Sequence, residues 1–272
     1  MTQIIIISDL DGTLLHPGTY SFDEALPAIE LIRTRSIPLI LCSSKTRAEI
    51  EVYRKRLKNK DPFISENGGG IFIPEGYFMF PVEGDLMNGY RVRTFGKPYS
   101  EIRNTFKEVK KKTGIIARGF GDMDAEEVAH LTGLQLSYAK LAKRRDFDEP
   151  FIFEEGEKRV EKFLDAIEDS GLCWTQGRFY HILGNHDKGK AVKILREYYE
   201  KALSRIKTIG LGDSFNDLPL LQSVDYPVLV QKGDGSYDER IRVPYLMKAE
   251  GIGPEGWNGA VIRLINTIGK GA

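Results

Sequence analysis

Ile4-Ile5-Ile6-Ile7-Ser8-Asp9-Leu10-Asp11-Gly12-Thr13-Leu14 joins an unbroken β-branched run to two carboxylates spaced i, i+2, a glycine and a threonine. Four consecutive isoleucines suit a strand buried on both faces, as in the middle of a parallel sheet. In open α/β sheets ligands bind beyond the carboxyl ends of the strands, so Asp9 and Asp11 stand where chemistry is expected. Two neighbouring acids repel each other unless a proton or a cation is shared, and a hard divalent cation resolves the repulsion most simply. The same residues also spell a strand-ending Asp-Gly turn with solvated carboxylates. The stretch alone leaves both readings open.

Downstream, Ser21-Phe22-Asp23-Glu24 reads as a capping box ahead of a helix carrying Ala25, Ala28, Ile29 and Ile32. A second buried strand, Pro38 to Cys42, ends in Ser43-Ser44-Lys45-Thr46, and a helix with Ile50, Tyr53 and Leu57 follows. Strand, helix, strand, helix is the grammar of a doubly wound parallel sheet. Ser43, Ser44 and Lys45 would face the same crevice as Asp9, with free N–H groups of a helix start behind them for an anion; the lesser alternative makes Ser44 only an N-cap. After Ser65-Glu66-Asn67-Gly68-Gly69-Gly70, residues 71–80 read as a hairpin turning at Pro74-Glu75-Gly76.

At Gly84 the character changes, and residues 84–186 are rich in charge with mixed periodicity. Strand patterns at 90–95, 150–153, 172–176 and 179–183 alternate with helical ones at 102–109, 126–131, 134–142 and 160–167, which suggests a separate α+β unit inserted into the first. Within it, Arg145 stands in the cationic run Lys143-Arg144-Arg145, and Arg178 and His181 lie in Gly177-Arg178-Phe179-Tyr180-His181. Arginine forks suit carboxylate or phosphate. Cations at a helix end also serve the helix dipole, and a strand histidine is often simply hydrogen-bonded.

The chain then returns to α/β grammar. Gly184-Asn185-His186-Asp187-Lys188-Gly189-Lys190 precedes a helix with Ala191, Ile194, Leu195 and Tyr198 on one face. The strand 208–211 ends in Gly212-Asp213-Ser214-Phe215-Asn216-Asp217, a second acidic strand end. A strand at 227–230, a glycine-rich loop and a helix at 259–268 complete the pattern. Gly184-x4-Gly189-Lys190 is nearly a P-loop, but Ala191 stands where magnesium needs a hydroxyl. Gly251-Ile252-Gly253-Pro254-Glu255-Gly256 spells G-x-G-x-x-G, yet contains a proline and opens no βαβ unit.

Lys+Arg and Asp+Glu are equal, at 39 each, over 272 residues. That balance argues against a nucleic-acid or basic membrane-surface footprint. No stretch approaches the roughly 20 apolar residues of a membrane span. The first residues lack the pattern of a signal peptide, and Cys42 and Cys173 show no metal spacing. The expectation is a cytoplasmic protein whose partner is a small molecule.

Asp9-Leu10-Asp11-Gly12-Thr13-Leu14, Leu41-Cys42-Ser43-Ser44-Lys45, Asp187-Lys188-Gly189-Lys190 and Gly212-Asp213-Ser214-Phe215-Asn216-Asp217 together resemble, in type and order, the four motifs of the haloacid dehalogenase superfamily of phosphotransferases. The insertion looks like the type IIB cap of that superfamily. The resemblance implies a doubly wound, Rossmannoid α/β core over 1–83 and 187–272 and an α+β cap over 84–186. It implies Asp9 as the nucleophile that forms an aspartyl-phosphate, Asp11 as acid and base, and Lys188 as the cation beside the transferring group. Ser43 and Ser44 would hold phosphoryl oxygens. Mg2+ would sit on Asp9, the Asp11 carbonyl and Asp213, with Asn216 and Asp217 in support.

A narrower likeness rests on Ser43-Ser44-Lys45-Thr46, Ser65-Glu66-Asn67-Gly68-Gly69, Arg145-Asp146-Phe147-Asp148-Glu149-Pro150-Phe151, Gly177-Arg178-Phe179-Tyr180-His181 and Lys248-Ala249-Glu250-Gly251-Ile252-Gly253-Pro254-Glu255-Gly256-Trp257. These are similar to the mannosyl-3-phosphoglycerate phosphatase family. That implies a phosphorylated sugar-glycerate as substrate. Arg145 and Arg178 would then meet the carboxylate, and Glu66, Asn67, Glu149 and His181 the rest. The alternatives are a phosphatase of glucosyl-3-phosphoglycerate or sucrose phosphate, and a phosphomannomutase-like phosphotransferase.

Overall fold

A computed structural model describes residues 2–270, which form in chain order β1 (Gln3–Ser8), α1 (Leu26–Thr34), β2 (Leu39–Cys42), α2 (Arg47–Arg56), β3 (Phe63–Ser65), β4 (Gly70–Pro74), β5 (Asp85–Met87), β6 (Tyr90–Thr94), α3 (Tyr99–Thr113), β7 (Ala117–Gly119), α4 (Ala125–Thr132), α5 (Leu136–Ala142), β8 (Asp148–Phe153), α6 (Val160–Asp169), β9 (Cys173–Gln176), β10 (Tyr180–Leu183), α7 (Lys188–Leu203), β11 (Ile206–Gly212), α8 (Leu218–Leu221), β12 (Tyr226–Gln231), β13 (Met247–Ile252) and α9 (Pro254–Lys270). The isoleucine run is β1, an interior strand of a nine-stranded sheet ordered β13-β12-β11-β1-β2-β3-β4-β6-β5. Ile4 and Ile6 pack with Ile29, Ile32, Val261 and Ile265 of α1 and α9. Ile5 and Ile7 point the other way, onto Ala191 and Leu195 of α7 and Leu220 of α8. The period of two thus feeds both helical layers. Each buried isoleucine contributes about 1.5–3 kcal/mol.

β1 pairs in parallel with β11 on one side and β2 on the other. The sheet therefore grows from β1 in both directions. The crevice beyond these three strand ends is the switch point where such folds bind ligands. A second, antiparallel sheet is ordered β7-β8-β10-β9. Ile102 and Phe106 of α3 and Phe163 and Ile167 of α6 pack with its Phe151 and Ile182. A smaller cluster joins Val128 of α4 and Ala139 of α5 to Ile152 and Phe179.

Several details depart from the sequence reading. The expected insertion begins at Gly84, but β5 and β6 extend the large sheet, with β6 antiparallel to β4. The elements around the second sheet start only at α3. Alternation at 90–95 announced a half-exposed strand without saying which sheet would take it. The hairpin at Pro74-Glu75-Gly76 does not form. The chain instead reverses between β3 and β4, and Tyr77, Phe78 and Phe80 leave strand geometry to pack on Tyr198 and Tyr199. Ser21 builds no capping box; its hydroxyl accepts only from the Asp23 N–H, at 3.1 Å. The capping box of α2 belongs to Thr46 and Glu49, so Ser44 is not its N-cap.

β7 and β13 were not expected. β13 adds in parallel to β12 at the sheet edge, and its polar residues disguise it. Gly251 to Gly256 is therefore a strand-to-helix turn. Gly251 has φ +107°, and a Cβ on Gly256 would lie 2.4 Å from the Gly251 carbonyl oxygen. No strand follows α9 among the described residues, so no βαβ unit is completed. No helix among the described residues is long and apolar enough to cross a membrane.

Candidate active site

Asp9 is the first residue beyond β1, and its N–H donates to the Leu211 carbonyl of β11 at 2.9 Å. The carboxylate is buried, with Oδ1 2.6 Å from Lys188 Nζ. The same ammonium lies 2.7 Å from Asp217 Oδ1 and is fully buried. Lys188 reaches this position because Asp187 N-caps α7, its side chain accepting from the Lys190 N–H at 2.8 Å. Lys190, the lysine of the near P-loop, turns instead to Asn185. Burial alone would favour neutral Lys188, but Asp217 and Asp9 outweigh it and hold the ammonium above its ordinary range.

Asp213 follows β11 and accepts from the Thr13 hydroxyl at 3.1 Å. Asp217 Oδ2 accepts from the N–H groups of Asp213 and Ser214, at 3.0 and 3.2 Å, and so shapes the acidic loop. Gly12 has φ +78°, and a Cβ there would lie 2.6 Å from Asp213 Oδ2; the glycine of the first motif admits the second acid. Burial, against the attraction of Lys188, pushes the Asp9 carboxyl up to about 7, with Asp217 and Asp11 adding repulsion. Burial first, then Asp217 and Asp9, holds Asp213 well above the carboxylate range.

Oxygens of Asp9, Asp213 and Asp217 lie within 4.8 Å of one another. Three crowded acids facing one ammonium, with oxygen donors only, fit a hard divalent cation such as Mg2+. Deprotonated, they bring more negative charge than Lys188 offsets. Asn216 stands beside them, its Oδ1 accepting from the Ser214 hydroxyl at 3.0 Å.

Asp11 is half-exposed. Its Oδ2 lies 3.0 Å from Lys45 Nζ, while its Oδ1 is buried without a hydrogen-bond partner. Ser44 lines the crevice; Ser43 is fully buried, its hydroxyl accepting from the Lys45 N–H at 3.2 Å. Above them opens a cavity of about 340 Å³ between the two sheets, in the range of small-molecule sites. Asp9, Asp11, Asp213 and Asn216 line it from below, and Arg145, Arg178 and His181 from the inserted unit.

Glu66, Asn67 and Glu149 do not line this cavity, contrary to expectation. Glu66 accepts from the N–H groups of Asp146, Phe147 and Asp148, at 2.7 to 3.0 Å, and faces Arg145. Glu149 accepts from Arg103 and from the Gly121 N–H, at 2.9 and 2.7 Å. Both carboxylates are consumed by internal donors distant in sequence. The Asp148 carboxylate accepts from Arg145, Asn67 and His181. Against burial, Arg145 and His181 hold its carboxyl well below the usual range. His181 Nδ1 lies 3.0 Å from Asp148 Oδ2, which fixes the ring on the cavity wall. Sequence reasoning missed Lys232, Asp238 and Arg240 of the loop after β12, which also line the cavity. It also missed the role of Trp257, whose Nε1–H donates to Ser8 Oγ at 2.9 Å directly beneath Asp9.

A sequence profile of haloacid dehalogenase-like hydrolases matches residues 6–80 and 138–240. A glucosyl-3-phosphoglycerate/mannosyl-3-phosphoglycerate phosphatase of Methanococcoides burtonii is 50% identical over 263 residues, covering 96% of this chain and 97% of its own. A mannosyl-3-phosphoglycerate phosphatase of Pyrococcus horikoshii is 41% identical over 227 residues, covering 83% and 90%. The fold is similar to that of a Thermoplasma acidophilum protein, with a TM-score of 0.69, 16% identity and coverage of 97% of this chain and 98% of the other. A haloacid dehalogenase subclass IIB sugar phosphatase gives a TM-score of 0.65 at 16% identity, covering 98% and 99%.

Proposed function

Because the chain belongs to the haloacid dehalogenase-like hydrolases, and among them to the family of glucosyl- and mannosyl-3-phosphoglycerate phosphatases, we propose that it hydrolyses mannosyl-3-phosphoglycerate to mannosylglycerate and phosphate. The double name of the relative at 50% identity adds the glucosyl compound as a second substrate. The product would serve as a compatible solute, made in the cytoplasm. The segment from α3 to β10 would act as the cap. The observation that carries the chemistry is a buried Asp9 carboxylate on the cavity floor, held at 2.6 Å by Lys188.

In this reading Lys188 holds Asp9 Oδ1, and the other oxygen attacks phosphorus as the bond from phosphorus to the glycerate oxygen breaks. Asp11, which lines the cavity and whose Oδ1 has no hydrogen-bond partner, gives the leaving oxygen its proton. Water then attacks the phosphorus of the aspartyl-phosphate, Asp11 takes a proton from it, and Asp9 leaves. Ser44 and nearby N–H groups orient the phosphoryl oxygens. Asp9, Asp213 and Asp217, with Asn216 beside them and the Asp11 carbonyl, would hold Mg2+, whose charge offsets the repulsion between carboxylate and phosphate dianion. The cap excludes bulk water while the phosphoryl group moves.

The test is phosphate release with Mg2+ from mannosyl-3-phosphoglycerate, glucosyl-3-phosphoglycerate, 3-phosphoglycerate, mannose 6-phosphate and sucrose 6-phosphate. The expected result is a large kcat/KM preference for the glycosyl-3-phosphoglycerates. Even rates over the panel would reduce the reading to a general sugar phosphatase. Conversion of mannose 1-phosphate to the 6-phosphate, without free phosphate, would replace hydrolysis by mutase chemistry.

A further inference from the structure

The positive charges on the cavity wall are unevenly matched. Lys45 faces two carboxylates, Asp11 at 3.0 Å and Glu49 at 3.4 Å. Arg145 also faces two, Asp148 and Glu66, and donates to the Ser44 carbonyl at 2.8 Å. Lys188 lies between Asp9 and Asp217. Arg178 differs. Its guanidinium donates only to neutral oxygens: the Thr132 carbonyl at 2.8 Å, the Leu131 carbonyl at 3.1 Å and the Tyr20 hydroxyl at 3.2 Å. Among the described residues no carboxylate pairs with it. Lys232 and Arg240 share a single carboxylate, Asp238, at 3.1 Å and at 2.9 and 2.6 Å. Each of these two groups therefore carries one uncompensated positive charge.

The two groups meet where the inserted unit touches the core. Arg240 Nη1 donates to Gln176 Oε1 at 2.8 Å, two positions before Arg178 at the β9–β10 turn. The same turn presses on the acidic loop, since a Cβ on Gly177 would lie 3.2 Å from Asn216 Oδ1. Tyr20, a core residue, donates to Thr132 beside Arg178 at 2.8 Å. The turn and the loop after β12 form one wall, with charge drawn from both units. Arg145, already doubly paired, has no charge left over for a ligand.

We propose that Arg178 of the β9–β10 turn and the Lys232–Asp238–Arg240 triad of the core together bind the carboxylate of the substrate, the anion remaining once its phosphate sits over Asp9. This rests on the glycosyl-phosphoglycerate reading above. It moves carboxylate recognition away from Arg145 and divides it between cap and core. The carboxylate then meets its full set of donors only with the β9–β10 turn seated on the loop after β12. Discrimination for an acid is thus tied to closure.

The experiment compares kcat/KM for mannosyl-3-phosphoglycerate with that for its primary carboxamide, which has the same shape without the charge. Loss of a hydrogen-bonded charge pair corresponds to about tenfold to a hundredfold, so the unmodified protein should prefer the acid by a factor in that range. Arg178→Gln and Arg240→Gln should each bring the acid-to-amide ratio toward one, through KM. Arg118→Gln, on an exposed residue paired with Glu127 outside the cavity, should keep it. The ratio is taken within one preparation, so a loss of folded protein cancels. If the unmodified protein prefers the acid and both cavity variants keep that preference, the proposal is overturned while the substrate reading stands. An unmodified protein that hydrolyses both compounds equally also overturns it. Absence of phosphate release from either compound overturns the substrate reading itself.

Discussion

Asn67 and Asp148, 81 positions apart in the chain, are joined by a 3.0 Å hydrogen bond from the Asn67 Nδ2 amide to Asp148 Oδ2. The other end of the same amide accepts from Asn216 Nδ2 at 3.1 Å. One buried side chain thus connects the acidic loop of the core to the strand that carries His181's partner. Glu66 and Asn67 both hold positive φ, +46° and +56°, a backbone cost that the contacts of their side chains offset.

Replacing Asn67 by Ala should leave the fold intact and lower stability by about 1–2 kcal/mol, the cost of unmade buried hydrogen bonds. The acidic loop loses its tether, so the Mg2+ concentration for half-maximal phosphate release should rise. A magnesium titration of the rate, beside a thermal melt, checks both. An unchanged titration would show that the tether does not reach the loop's function.

Glu66 is expected to act on stability, not on substrate. Glu66→Ala strands three N–H groups and leaves Arg145 with one fewer carboxylate. Breaking a buried charge pair of this kind costs about 3–5 kcal/mol. Urea unfolding should show the loss. A KM effect with unchanged unfolding would return Glu66 to the substrate.

The acids at the floor make stability depend on pH and metal together. The Asp9 carboxyl is raised from 3.8 to about 7 by burial, with Lys188 opposing. A group so raised binds its proton more tightly in the folded chain. Its contribution is therefore complete below about pH 4 and is lost as pH climbs toward 7. Metal binding needs the deprotonated form, so the stabilisation by Mg2+ should grow from pH 5 to pH 8. At a hundred times its dissociation constant Mg2+ contributes about 2.7 kcal/mol, a shift of several degrees in the melt. Melts after chelation, with and without added Mg2+ at several pH values, provide the check. A shift that shrinks as pH rises would contradict the assignment.

Trp257 props the nucleophile from below. Its indole N–H donates to Ser8 Oγ at 2.9 Å, and Ser8 in turn donates to the Asp9 carbonyl at 2.6 Å. Trp257→Phe removes one neutral hydrogen bond and should cost about 1 kcal/mol with phosphate release retained. Differential scanning calorimetry beside a rate assay decides. Complete loss of release in a folded variant would give Trp257 a direct role in shaping the site.

The parts legible in the sequence are those encoded by short-range pattern. The isoleucine run announced a strand covered on both faces, and β1 is that strand. Carboxylates placed after β1 and β11, with Lys188 at a helix start, are drawn together by the parallel pairing of those strands. What could not be read depends on partners far away in the chain. Glu66 and Glu149 look like ligands for hydroxyls until backbone N–H groups about 80 and 28 positions away are found to occupy them. β13 hides because an edge strand exposes alternate residues to water and so tolerates Lys248 and Glu250. Lys232 and Arg240 sit in a loop with no periodicity, and only the fold brings them to the cavity.

The central claim is that Asp9 carries the phosphoryl group. It is tested most directly by mixing the protein with mannosyl-3-[32P]phosphoglycerate and Mg2+, quenching with acid within the first turnover, and mapping the bound label. The account predicts a transient, hydroxylamine-sensitive label on the peptide that contains Asp9, with neither label nor phosphate release in Asp9→Asn. Label on another residue, or phosphate released by a folded Asp9→Asn protein, would contradict it.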